Sequence, residues 1–144
     1  MIRKANKEDI YRIAEIEVFN YRLYFYPIFQ NDDYYFDELQ MSKQIDNYNL
    51  DEIYVYDDGV VKGFIQINDQ EVKKLFVEPV LHNQKIGSKL LKYGIDTLNV
   101  DHLWALEKNI KAISFYKRHG FELTDEKKLV DDTTEYLVQL IRKI

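Results

Sequence analysis

The chain contains no cysteine, which excludes disulfides, thiolate nucleophiles and cysteine-ligated metals. Its three histidines, His82, His102 and His119, are scattered, and their spacing does not resemble a metal site. No apolar run approaches the ~18 residues that a membrane-spanning helix requires. The first residues also lack the pattern of a secretory signal, so the expectation is a cytoplasmic protein with no membrane partner. A basic excess is missing too: the net charge of −5 argues against general binding of nucleic acid. No internal repeat, low-complexity tract or linker interrupts the sequence, and 144 residues read as one domain spanning 1–144.

What is present is an ordinary globular composition, 46% apolar and 31% charged. A chain of this length buries roughly 68–70% of its unfolded surface, enough for a core without staples. Charge is unevenly divided: residues 1–58 hold 13 acidic against 6 basic side chains, and residues 59–144 hold 12 against 14. Such a division suits a cationic substrate on one side and an anionic cofactor on the other. Two solvated faces account for it equally well.

Residues 2–4 read as a short strand. Asn6 is placed to cap a helix with Glu8 and Asp9 in its first turn and Ile10, Ile13, Ala14 and Ile16 on its apolar side. An aromatic cluster follows, from Tyr21 to Phe36. Pro27 is expected to break the helix, and Asn31 or Asp32 to cap a second one reaching about Tyr48. Most of these rings suit a core or a homodimer interface. Tyr24, Tyr26 and Tyr35 are the candidates for lining a substrate pocket, since a ring with a hydroxyl tip suits an amphipathic ligand. Strands at 53–57 and 60–67 are joined by the hairpin signal Asp58-Gly59. In the second of these, Val61, Gly63, Ile65 and Ile67 alternate with Lys62, Phe64 and Gln66, which predicts one buried face. A strand at 71–77, a helix at about 85–99, a strand at 102–106, a helix from Asn109 to His119 ended by Gly120, and strands at 121–125 and 136–141 complete the order. That order predicts a mixed α/β (α+β) fold, with helices packed on a mixed sheet.

Between the strand at 71–77 and the following helix lies the loop HNQKIGS. Pro79 ends the strand because it cannot donate to a ladder. The loop and the first helical turn expose main-chain N–H groups, Gly87 has no Cβ, and Ser88 adds a hydroxyl. A helix N-terminus carries unpaired donors and about half a positive charge, so this stretch is suited to holding a phosphate. A second stretch, NIKAISFYKRHGF, reads by itself as a capped amphipathic helix ending at a glycine.

Together the two stretches resemble the GNAT superfamily of N-acetyltransferases. The second stretch fits that family's pattern N-x-x-A-x-x-F-Y-x-x-x-G-F through Asn109, Ala112, Phe115, Tyr116, Gly120 and Phe121. The lead-in from Glu71 to Pro79 is similar to the family's fourth strand. In the acyl-CoA pattern R/Q-x-x-G-x-G/A, His82 stands where Arg or Gln is usual, Lys85 replaces the first glycine, and Gly87 holds the last position. Lys85 is harmful only if its position needs positive φ or very close backbone approach; it also offers a charge partner to phosphate.

The resemblance implies a GNAT-like fold: a mostly antiparallel sheet of six to seven strands, helices on both faces, splayed between the fourth and fifth strands. It implies acetyl-CoA as co-substrate, no metal, and a primary amine, small-molecule or peptide, as acceptor. The cofactor-binding residues it implies are Phe76, Val77, His82, Asn83, Gln84, Lys85, Ile86, Gly87, Ser88, Asn109 and Tyr116. A main-chain N–H near Val77 would face the carbonyl oxygen, and Tyr116 would protonate the departing thiolate. Glu71 reads equally as the general base or as an exposed strand-end carboxylate, with Glu107 and Glu78 as lesser candidates. His102 and His119 read as structural. A non-catalytic acyl-CoA-binding module is the alternative to an enzyme.

Overall fold

A computed structural model of the chain describes residues 1–81 and 85–142. Seven strands form one sheet: β1 (Ile2–Lys4), β2 (Ile53–Asp57), β3 (Val61–Asn68), β4 (Glu71–Val77), β5 (His102–Leu106), β6 (Phe121–Leu129) and β7 (Tyr136–Arg142). Their spatial order is β1-β2-β3-β4-β5-β7-β6. Every neighbouring pair is antiparallel except β4 and β5. The two-residue turn Asp69-Gln70 joining β3 to β4 has both residues at positive φ, 50° and 67°, as a tight hairpin requires.

The helix α1 (Ile10–Asn20) is entered through a 3₁₀ turn whose Asn6 forms a capping box with Asp9. The expected break at Pro27 does not occur. A π-helical turn (Tyr21–Phe25) continues α1 into the short helix α2 (Tyr26–Phe29), with Pro27 in its first turn. The wider i→i+5 spacing upstream accommodates the ring that would strain an α-helix interior. The chain stops instead at Gln30, in a left-handed conformation with φ 53°. The expected single helix to Tyr48 is also replaced, by a π-helical turn (Asp33–Glu38) and the short α3 (Met41–Gln44), separated at Leu39. Asn31 does cap the first of these, accepting from the Tyr34 N–H at 3.0 Å.

α4 (Ile86–Leu98) and α5 (Ile110–Arg118) lie on the face of the sheet opposite α1. Ile65, Leu90, Leu91 and Leu103 pack in one buried cluster with Phe121, while Phe64, Ile13 and Ile16 pack in another. Phe64 and Ile65 are both fully buried, so β3 is covered on both faces and the expected single buried face is corrected. A central strand between two helical layers has no solvent face for its alternate residues to meet. Gly94 permits the close approach of α4 to β3: a Cβ there would fall 2.9 Å from Ile67 Cδ1. The rings of the aromatic cluster form a third group around Val18, Tyr35 and Leu39, which Tyr21, Phe25, Tyr26 and Phe29 cover. Among the described residues, no helix is long and apolar enough to cross a membrane.

Candidate active site

The site begins with one extra residue in β4. In the ladder with β3, Lys74 pairs with Gln66 but the next pair is Val72 with Ile67, leaving Lys73 without an opposite residue. Such a bulge bends and twists its strand. It also resets which side chains share a face: Val72 packs in the same cluster as Leu75 and Val77, while Phe76 packs on the α1 side. β4 pairs with β5 only at Glu71–His102 and Val72–Leu103, the last pair immediately before the bulge. Beyond it the two strands part, and residues 73–77 have no ladder partner among the described residues on that side. The far end of β4 is held by Asn20, whose buried side-chain amide donates to the Val77 carbonyl at 2.9 Å and to the Ile16 carbonyl at 2.8 Å.

Two clefts open where the strands part. One, of about 750 Å³, runs between the end of β4 and the starts of α4 and α5; its walls include Val77, Lys85, Ile86, Gly87, Ser88 and Phe115. The other, of about 890 Å³, lies on the α1 side and includes Glu71, Lys74, Trp104, Tyr21 and Tyr35. Phe25, Leu75, Phe76, Asn109, Ala112 and Tyr116 line both. Tyr116 is therefore where the two meet. Its ring packs edge-on against Phe115 and Phe121 and is 8% exposed. No described residue hydrogen-bonds its hydroxyl, and burial pushes the phenol well above its ordinary value. It is a neutral O–H donor set at the junction. Asn109 caps α5, its Oδ1 accepting from the Ala112 N–H at 3.2 Å.

At the opening of α4, Lys85 adopts φ 63°, ψ 17°. The position does require the left-handed conformation, so this departure from glycine carries a strain that a lysine normally avoids. Ser88, in the first turn of α4, lies 3.0 Å from His119 Nε2, and His119 Nδ1 lies 2.8 Å from the Phe115 carbonyl. His82, Asn83 and Gln84 lie outside the described residues.

Glu71 is on the wall of the α1-side cleft, its Oε1 3.2 Å from Lys73 Nζ and 3.6 Å from His102 Nε2. His102 in turn has Nδ1 2.7 Å from Asp101 Oδ1. The parallel register of β4 and β5 sets His102 against Glu71, and this distant pairing carries no local signal in the sequence. The lesser candidates are engaged elsewhere: Glu78 with Arg12 at 2.7 Å and Glu107 with Lys127 at 2.5 Å. Of the three candidate substrate tyrosines, Tyr35 lines the α1-side cleft and Tyr24 the other. Tyr26 lines neither, and instead donates to Asp32 at 2.6 Å and packs on Tyr35 and Phe36. Sequence reasoning overlooked Glu17, which is fully buried beneath the cleft. It accepts from Tyr48 at 2.8 Å and Tyr21 at 3.2 Å and pairs with Lys74 at 2.6 Å. Its carboxylate sits on a helix of otherwise regular apolar spacing, where only the incoming Lys74 and tyrosines reveal its use.

Comparison with known proteins bears on this geometry. A family model described as the acetyltransferase (GNAT) domain matches residues 49–123. A peptidyl-lysine N-acetyltransferase, YjaB, of Salmonella typhimurium is 32% identical over 75 residues. That stretch is 49% of this chain and 48% of the relative, so the chain matches about half of that protein's length. The apo-form solution structure of YjaB from Escherichia coli superimposes with a TM-score of 0.74 at 21% identity, covering 98% of this chain and 95% of that one. The PaiA N-acetyltransferase of Thermoplasma acidophilum, solved in complex with coenzyme A, gives 0.71 at 19% identity, covering 100% and 98%. These likenesses establish the fold, and the match from the β2 lead-in through both motif stretches to β6 establishes more: the chain belongs to the GNAT acetyltransferase family.

Proposed function

We propose that the chain is a single-domain N-acetyltransferase that carries an acetyl group from acetyl-CoA to a primary amine by direct attack. The observation that carries this reading is Tyr116, a buried phenol whose hydroxyl no described residue hydrogen-bonds, at the junction of two clefts. Acetyl-CoA supplies an activated thioester. The residues fit such a molecule: the cleft at the start of α4 offers first-turn amides from Ile86 to Ser88, and the Lys85 ammonium adds charge. On the open edge of β4, Leu75 and Val77 turn their main-chain groups away from β3 and offer them to an extended amide-bearing arm, with the Phe76 ring and Asn109 alongside. A main-chain N–H near Val77 faces charge developing on the carbonyl oxygen.

Tyr116 gives its proton to the departing sulfur. Its raised pKa keeps that proton in place through the alkaline range where an ordinary tyrosine near pH 10 would lose it. Glu71 takes the proton that the acceptor ammonium must shed before it attacks. The acceptor enters from the α1 side, past Tyr35 and the carboxylates of Asp131 and Asp132, on a wall that also carries Lys73, Lys74 and Lys128. The name of the Salmonella relative supports a peptide lysine as the acceptor.

The test measures free thiol released from acetyl-CoA with a panel of amines that includes a lysine peptide. Turnover is expected, and Tyr116→Phe should lower kcat by about 10²-fold or more, the usual contribution of a positioned acid. Tight CoA binding without turnover on any amine would instead describe a non-catalytic acyl-CoA-binding module and refute the proposal.

A further inference from the structure

His119 is the C-cap of α5 and opens the turn that ends it, yet its ring reaches across to the first turn of α4. Nδ1 lies 2.8 Å from the Phe115 main-chain oxygen, and Nε2 lies 3.0 Å from Ser88 Oγ. A carbonyl oxygen only accepts, so Nδ1 must carry a hydrogen whatever the charge of the ring. In the neutral imidazole Nε2 is then a bare lone pair, and only the Ser88 hydroxyl can fill that contact with a hydrogen. A serine hydroxyl has a single proton to donate. Spent on the imidazole, it leaves Ser88 presenting lone pairs to the cleft that Lys85, Ile86 and Gly87 also line.

When the ring is protonated the contact reverses. Nε2–H donates to Ser88 Oγ, and the serine proton is released to point into the cleft. An anion at the start of α4 meets repulsive lone pairs in the first state and a donor backed by a positive ring in the second. We propose that His119 is a positioning residue for the diphosphate end of the cofactor, acting through Ser88, and that binding of the anion draws one proton onto its ring. This rests on the acetyl-CoA reading above.

The charged groups on the elements that meet at the ring are Lys85 just before α4, Lys89, Lys92 and Asp96 of α4, Lys111, Lys117 and Arg118 of α5, Glu122 at the start of β6 and Arg142 at the end of β7. Seven of these nine are cations, and an anion bound at the start of α4 places the opposite charge beside the ring. By linkage, what raises the proton affinity of the ring on binding must make binding weaker as pH rises through its titration.

The experiment follows the His119 ring proton signals by NMR from pH 5 to 9, alone and with saturating CoA, on the whole chain. CoA should raise the midpoint by about one unit, which corresponds to about tenfold weaker binding at high pH than at low pH. Dephospho-CoA, which keeps the diphosphate but lacks the titrating 3′-phosphate, should produce the same shift. In Ser88→Ala the ligand-induced shift should fall to about a third or less. In His119→Gln, whose amide cannot take up a proton, calorimetric Kd for dephospho-CoA should lose most of its pH dependence. A midpoint in the wild-type protein unmoved by saturating ligand overturns the proposal without reference to any variant. So does a His119→Gln protein that keeps the wild-type slope. Absence of CoA binding at every pH removes the acetyl-CoA reading itself, a result distinct from binding that ignores the ring.

Discussion

Lys85 lets the strain of a misplaced side chain be separated from the value of its charge. At φ 63° and ψ 17° it occupies the left-handed region immediately before α4, which costs a residue with a Cβ about 1–2 kcal/mol relative to glycine. Replacing it by glycine relieves that cost but makes the unfolded chain more flexible, returning about 0.5–1 kcal/mol. The net expectation is a gain of about 0.5–1 kcal/mol. For a domain near this size, where 1 kcal/mol shifts Tm by roughly 2–4 °C, that is a rise of about 1–4 °C. Lys85→Ala is the control, since it discards the ammonium and keeps the Cβ. Both variants lose a cation from the positive end of a helix, a gain of about 0.3–1 kcal/mol at most and common to the two. The difference between them therefore isolates the backbone. Both should also bind CoA more weakly by similar factors, because neither offers a charge to phosphate. Thermal unfolding of the three proteins, with and without CoA, reads both effects. A glycine variant no more stable than the alanine variant would mean that Lys85 is not held left-handed, and the account of this turn would be wrong.

Lys74→Met should leave the buried Glu17 carboxylate with only its two tyrosine donors and cost about 3 kcal/mol in urea unfolding; adding Glu17→Gln should recover part of the loss, and a neutral outcome in the single variant would deny the pair its structural role. Asn109→Ala removes the cap that accepts from the Ala112 N–H, with an expected loss of about 1 kcal/mol and a rise in KM for acetyl-CoA. Arg3, and secondarily the Asn6 N–H, holds the Asp9 carboxyl below its ordinary value against the opposing effect of burial. That contribution is complete above the unfolded value of about 3.9 and disappears as pH falls through the folded one, so Asp9→Asn should flatten the acid limb of stability measured by circular dichroism from pH 5 downward.

Elements whose signals are local were legible from the residues alone. The bounds of β4 and β5 coincide with their apolar runs, α4 falls one residue inside its expected limits at each end, and the Asn109 cap and the Gly120 stop bracket α5 as expected. Errors arose where a distant partner decides the outcome. Pro27 tolerates a helix because the π-helical turn before it absorbs the ring. Phe64 is buried because α1 covers the face that the alternation of β3 assigns to solvent. β6 extends to Leu129, beyond the expected Asp125, although residues such as Glu122, Glu126 and Lys128 give it no apolar alternation. It is an edge strand, and pairing with β7 rather than burial defines it. In the candidate site, Tyr116, Asn109 and Gly87 were singled out through the resemblance to the family's two motifs, and each lines a cleft in the structure. The set of His102 against Glu71 and of His119 against Ser88 depends on register and on a helix-to-helix contact, which no window of sequence contains.

Lys73 shows how little is needed to turn a continuous sheet into a divided one. A regular β4 would carry its pairing with β5 along its whole length, and no gap would separate Phe76 from Ala105. One unpaired residue changes the twist immediately after Val72. The parted edge is a liability, since unpaired strand groups attract other chains, and it persists only because both sides are held. Asn20 ties down the Val77 carbonyl from α1, and β7 pairs with β5 over all five of its residues on the other side. The edge that remains lines the two clefts together with Tyr116, so the groups left without a strand are those a bound amide-bearing chain can reach. Restoring the register by deleting Lys73 should therefore abolish CoA binding measured by calorimetry while the protein still folds; a deletion variant that binds normally would separate the splay from the site.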